Sequence, residues 1–509
     1  MNHLNWADFL TIAFFLGLLF YLVGKNFSFK ESKEEYFMAG KNLSWPVIGF
    51  AFFVTNISTE QFIGMAGAGY RKGLVMACYE WLGILVIIVV AIFILPKYLR
   101  AGINTLPEYL EYRYNGNVRL VVSVAMFFAY VFITISGMLY ANVVAIETIL
   151  NYQSTNTYWF LAIIAGTLAV VGGLKTVMRL EVMFALIMIF GGIMVSIFSV
   201  IKVGGFAEIL AQAPEKLHTL LPSNDPDLPW NSIILGGFWF GAFFYFGFNQ
   251  YMMQKLFTTP SLSTAQKGIL LAATLKLIIP FIIVLPAIIA FILYSNQISD
   301  PDASYPMLAL QVLPQGFQGT FYCMLFAAVF GSFISVLNSA STIFSLDIYK
   351  RFIKPDISDD VLVKVGRLSI PVMLIAACLW APHIKDFGGV FIYIKKYFGL
   401  IYPAVIVVFL AGWMSKKVSP SAALATILAN PLIFFLMMYF FPEHAFLTNI
   451  TYTTIILAFL ICMVALLAPW RSKFSIPDRV NIRFERNLGI FIWCIFLFTS
   501  SVALIVLFI

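Results

Sequence analysis

Residues 52–70 read FFVTNISTEQFIGMAGAGY. The stretch is apolar at its start, yet Asn56, Ser58, Thr59, Glu60 and Gln61 stand together in its middle, with Gly64, Gly67 and Gly69 behind them. At membrane depth, interrupted or polar backbone is tolerated only where protein buries it or a cavity hydrates it. Small-residue helix packing accounts for the glycines. It leaves the NISTEQ cluster unexplained, so the stretch predicts a helix broken at mid-membrane.

The rest of the chain places this stretch in a bilayer. Of 509 residues, 61% are hydrophobic and 11% charged, with mean hydropathy +0.92. Soluble domains carry about 25% charged residues, which excludes a water-facing fold. A membrane helix needs about 20 mostly apolar residues. On that criterion the chain is an all-α membrane protein with about fourteen spans, at 7–24, 45–70, 76–97, 121–150, 157–173, 180–202, 232–253, 267–296, 319–348, 366–382, 393–412, 419–440, 451–469 and 488–509. The five cysteines lie in or beside apolar runs, and the four histidines are scattered. Neither set has the spacing of a metal site or a disulfide framework.

Most of the 32 Lys and Arg fall in the loops after spans 1, 3, 5, 7, 9, 11 and 13. The positive-inside rule then puts both termini outside the cytoplasm of a cell-membrane protein, and accounts for the net charge of +8 without a nucleic-acid partner. Every connection is short, and no GxxxxGK[ST] phosphate loop is present. A self-contained ATP-driven pump is thereby excluded. A secondary transporter, a channel or an intramembrane enzyme remains; the chain offers no compelling paired-carboxylate, Ser/His or metal cluster for the last.

Span 7, GGFWFGAFFYFGFNQY at 236–251, is also glycine-rich and interrupted. It lies five spans after span 2, so the two run in opposite directions. Interrupted helices in corresponding inverted positions are the pattern of secondary transporters built from inverted repeats, with the solute site at the midplane. The expected organisation is a first span and loop (1–44), repeat 1 (45–202), an external loop (203–231), repeat 2 (232–412) and three further spans (413–509).

Glu80, Lys276 and the Lys395/Lys396 pair fall within or at the edge of spans. Each charge at a helix centre costs roughly 2.5–3.5 kcal/mol on insertion scales, so each needs a partner or water. One reading is a hydrated cavity for a polar solute; the other is a helix-locking ion pair such as Glu80–Lys276. Carboxylate, ammonium and amide groups together suit a sugar, whose hydroxyls both donate and accept. Tyr79, Tyr245, Phe246, Phe248 and Phe391 could supply aromatic walls, or could be packing alone.

At NISTEQFIGMAGAGY the chain resembles the sodium/solute symporter family, and most of all its bacterial sodium/galactose branch. EYFMAGKNLSWP (35–46), YEW (79–81), TLPEYLEYR (105–113), GFNQY (247–251), AQKG (265–268) and LNSASTIFSLDIYK (337–350) extend the resemblance over most of spans 1–11. It implies a LeuT-like five-plus-five inverted repeat and sodium-coupled symport of a sugar. By this resemblance Asn56, Gln61, Glu80 and Lys276 match sugar-contacting positions, Tyr245 an inner aromatic gate, and Met65, Tyr79 and Phe391 an outer gate. Four positions depart: Ala242 replaces an Asn, Gly83 a Ser, Lys395 a Gln and Phe246 a Trp. Lys395 either turns preference toward an acidic sugar or pairs locally.

For the coupling ion the resemblance implies carbonyl ligands from Val54, Ile57 and Ala328 and a hydroxyl from Ser332. A second hydroxyl expected just before Ser332 is replaced by Gly331. Near the same region a tryptophan-threonine-aspartate run reads Arg179-Leu180-Glu181 here. Either Glu181 takes the place of the aspartate, or Arg179 supplies a fixed cation to a sodium-independent carrier. The expected function is therefore sodium-coupled sugar transport by alternating access, with a sodium-independent or proton-coupled carrier as the alternative. The expected partners are a small sugar, sodium and the bilayer, with no bound cofactor.

Overall fold

A computed structural model describes residues 4–26, 32–150, 154–387, 390–467, 477, 479 and 487–509, with the side chains of 148–150 and 391 apart. Among them the architecture is all-helical, with one isolated bridge between Leu221 and Pro229. Among the described residues nine helices are long and apolar enough to cross a membrane, or up to thirteen if each bent pair is one span. The predicted fourteen depends on one element, the Asn156–Val203 helix of 48 residues. At about 1.5 Å per residue it is more than twice as long as a ~30 Å hydrocarbon core. Gly173 inside it has φ 52 and ψ 179, a non-helical conformation at the end of the first of the two predicted spans.

The break predicted in span 2 is present. The Trp45–Asn56 helix stops at Ile57, which is extended (φ −102, ψ 112), and helical structure resumes as a wide π-turn over Glu60–Met65. Span 7 breaks as well: the Gly237–Gly247 helix ends at Phe248, and Gln250–Leu256 continues at 46° to it after an extended Asn249.

Glycines bring the site-bearing helices together. A Cβ on Gly49 would lie 2.8 Å from the Gly268 carbonyl oxygen, and one on Gly268 would lie 2.7 Å from Ile48 Cγ2. Trp45–Asn56 and Leu262–Lys276 therefore touch backbone to backbone, which carries Lys276 to the broken end of the first helix. The basic segment 469–486, except Pro477 and Arg479, lies outside the described residues.

Candidate functional site

A small cavity opens between the two broken helices. Asn56, Gln61, Glu80, Lys276, Lys395, Met65, Tyr79 and Tyr245, all predicted site residues, line it together. The side chain of Phe391, the remaining predicted gate residue, lies outside the described residues.

Lys276 is the hub of the polar floor. Its ammonium donates to Asn56 Oδ1 at 2.5 Å, forms an ion pair with Glu80, and stands 5.1 Å from the Phe246 ring centroid. Asn56 Nδ2 in turn donates to Tyr245 Oη at 3.4 Å. Lys276, Glu80 and Asn56 are all buried. On the opposite wall Lys395 pairs with Glu60 at 2.9 Å and lies 5.5 Å from the Tyr245 ring centroid. The Glu80–Lys276 pair joins two helices and both residues line the space between the broken ones.

The departures at 83 and 246 have a common cause. A Cβ on Gly83 would lie 3.1 Å from the Phe246 ring and 3.5 Å from Lys276 Cε. Phe246 and the lysine stem fill the space that a serine hydroxyl would need. Ala242 lies on the cavity wall with no polar group to offer.

The ion region is assembled from the same break. In a continuous helix the amides of residues 58, 60 and 61 would close on the carbonyls of 54, 56 and 57. Here Ser58 N donates to Gln61 Oε1 (2.9 Å), Glu60 N to Ser58 Oγ (3.0 Å) and Gln61 N to the Ser58 carbonyl (3.0 Å). The Val54 and Ile57 carbonyls are released from their helical donors. Ser332, next in sequence to a Gly331 that packs on Val54, has its Oγ buried with no hydrogen-bond partner among the described residues. Ala328 lies one turn before it on the Gln318–Thr342 helix. Released carbonyls and an unpartnered hydroxyl are the kinds of oxygen a monovalent cation takes in such folds. The missing second hydroxyl also has a geometric reason: a Cβ on Gly331 would lie 2.5 Å from Val54 Cγ1. The valine methyl holds the space.

Glu181 is fully buried beside this region, in an ion pair with Lys255. Thr55 Oγ1 lies 3.2 Å from Glu181 Oε1 and 3.4 Å from Ser335 Oγ. Arg179, two residues earlier in the same helix, is partly exposed. Sequence reasoning counted Lys255 with the basic residues of the loop after span 7, and nothing in its spacing distinguishes it from them. It also gave no site role to Glu60, which it saw only as part of the NISTEQ cluster, or to Thr134, Asn249, Phe446 and Leu447, which line the cavity. The last two begin the Phe446–Leu467 helix, so a helix from the last hundred residues contributes a wall where little was expected.

Comparison with known proteins follows the same lines. The profile of the Sodium:solute symporter family matches residues 36–429. The chain is 35% identical over 482 residues to the sodium/glucose cotransporter of Vibrio parahaemolyticus, covering 89% of this chain and 88% of that protein. It is 30% identical over 431 residues to human sodium/myo-inositol cotransporter 2, covering 77% of this chain and 64% of that one. A solved sodium-coupled sialic acid symporter superposes with a TM-score of 0.82 at 21% identity, covering 92% of this chain and all of that one, which establishes the LeuT-like fold. The protein is a membrane transporter rather than an enzyme, and the chain belongs to the sodium:solute symporter family.

Proposed function

We propose that the protein couples sodium to the uptake of a neutral polyhydroxylated solute, a hexose or a cyclic polyol. The observation that carries this reading is the charge balance of the cavity. Glu60 and Glu80 are matched by Lys395 and Lys276, so the few charged groups set into largely apolar, aromatic walls have no net charge to offer an ion. Hydroxyls can accept from the ammoniums and donate to the carboxylates in the same pose. Tyr245, in contact with both Asn56 and the Lys395 side, supplies an aromatic face for a sugar ring. Gln61 Oε1 is already held by Ser58, which leaves the amide Nε2 for the solute.

Sodium occupies the Val54, Ile57, Ala328 and Ser332 oxygens in this reading. Because Ser58 and Gln61 shape both the freed carbonyls and the cavity wall, an ion there favours the conformation that holds solute. That differential stabilisation is what coupling requires. The charge distribution of the loops orients the carrier with both termini outside the cytoplasm of the cell membrane.

The test is uptake of labelled hexoses and inositols into proteoliposomes under an inward sodium gradient, with potassium as control and uronates and amino sugars as competitors. Concentrative, sodium-dependent uptake of a neutral solute is the expected result. Equal, non-concentrative uptake in both salts overturns the coupling. Uptake of a uronate in preference to every neutral hexose overturns the charge-balance argument and gives Lys395 the role of an anion receptor.

A further inference from the structure

The oxygen atoms near the candidate ion region are not all available to an ion. Thr55 Oγ1, Ser335 Oγ and the Glu181 carboxylate converge at one point, and the Lys255 ammonium is already there, against the carboxylate with both partners fully buried. Thr55 adjoins Val54, and Ser335 lies one helical turn beyond Ser332, so this cluster is next door to the Ser332 site. A carboxylate with two hydroxyls is an oxygen set that attracts a small cation. Here the cation is supplied by the chain itself, on a flexible four-carbon stem.

We propose that Lys255 is a tethered counter-cation that fills what would otherwise be a second sodium position, and thereby limits the carrier to one sodium per solute. The inference rests on the sodium reading of the Ser332 site. Removing the ammonium while keeping Glu181 leaves a buried charge without a partner, which is strongly unfavourable unless another cation takes its place. In sodium medium the replacement is sodium, held by Glu181, Thr55 and Ser335. The ion count then rises without any change to the Ser332 site.

The experiment is a sodium titration of labelled-solute binding to the purified full-length protein, with choline replacing sodium, alongside counting of bound radioactive sodium. The unaltered protein is expected to bind one sodium, with a Hill coefficient of about 1. Two sodium ions bound with Lys255 in place overturn the proposal directly, whatever any variant does. Lys255→Met is expected to bind two, with a Hill coefficient rising toward about 2 and a melting temperature that rises more steeply with sodium than that of the unaltered protein. A folded Lys255→Met that still binds one overturns it. The charge-neutral pair Lys255→Met with Glu181→Gln lacks the carboxylate and is expected to bind one; two bound ions there overturn the assignment of Glu181 as ligand. If neither the unaltered protein nor Lys255→Met responds to sodium, the coupling reading falls and this inference falls with it.

Discussion

At the scale of single residues, the site is a set of buried charges that each depend on a named partner. Lys276 holds Glu80 and Asn56 at once, so its loss strands a carboxylate and an amide together. Breaking a buried pair from one side costs about 3–5 kcal/mol, whereas removing both charges is far milder. Lys276→Met is therefore expected to lower thermal stability in detergent by that order and to abolish solute binding. Adding Glu80→Gln to it is expected to restore most of the stability but not the binding, and a double-mutant cycle of melting temperatures with solute titration checks both. These residues were legible in the sequence because a charge inside an apolar run has few explanations. Lys255 was not, because it follows an interrupted helix at a position where loop residues are also basic. Gly331 showed only a lost hydroxyl; that Val54 fills its place needs the packing of two helices 277 positions apart in the chain.

At the scale of elements, the broken helices are the parts the sequence displayed best. A run of hydrogen-bonding side chains followed by glycines marked the first break to within a few residues. What it could not display is how the break is stabilised, with Ser58 and Gln61 closing a local loop of three hydrogen bonds. Nor could it show what lies over the far end of the same helix. Asp302, in the connection between the Val284–Tyr294 and Gln318–Thr342 helices, puts its Oδ1 where a Cβ on Gly67 would stand, 2.1 Å away. Burial, with the Asp300 charge beside it, pushes the Asp302 carboxyl up from 3.8 to about 6 against the opposing effect of Arg71. A carboxyl raised in the folded state stabilises the fold while protonated. The contribution is full below about pH 4 and is lost as the pH rises through 6. Melting temperature is expected to decline across that window, by no more than about 2 kcal/mol in stability terms. Asp302→Asn is expected to flatten this part of the profile, and a profile as steep as before would separate Asp302 from the effect.

At the scale of the whole molecule, alternating access needs an end that can lock and release. Arg119 donates to Asp347 (2.8 Å from Nε) and to Glu111 (2.6 Å), while Arg351 also holds Glu111. Arg113 reaches the carbonyls of Gly412 and Ser415 at 2.8 and 2.6 Å. These bonds join residues 105–119 to segments more than two hundred positions later, all at the end that the loop charges assign to the cytoplasm. Arg119→Gln leaves Asp347 buried without its cation, and exchange of backbone amides in 105–119 and 343–353 is expected to quicken by at least about tenfold. Unchanged exchange would show that the network does not hold this end closed. The sequence carried the motifs TLPEYLEYR and LNSASTIFSLDIYK but not their meeting, since nothing local to either names the other.

The matched charges of the cavity have an electrical consequence. Two carboxylates and two ammoniums belong to the protein and do not leave with the cargo, and a neutral solute adds nothing to them. On the proposed count of one sodium per solute, each cycle carries a single positive charge across the bilayer. Every 100 mV of membrane potential then contributes about 2.3 kcal/mol to the inward step. At about 1.4 kcal/mol per factor of ten in concentration, that is close to a fifty-fold accumulation of solute from voltage alone, even when sodium is equal on both sides.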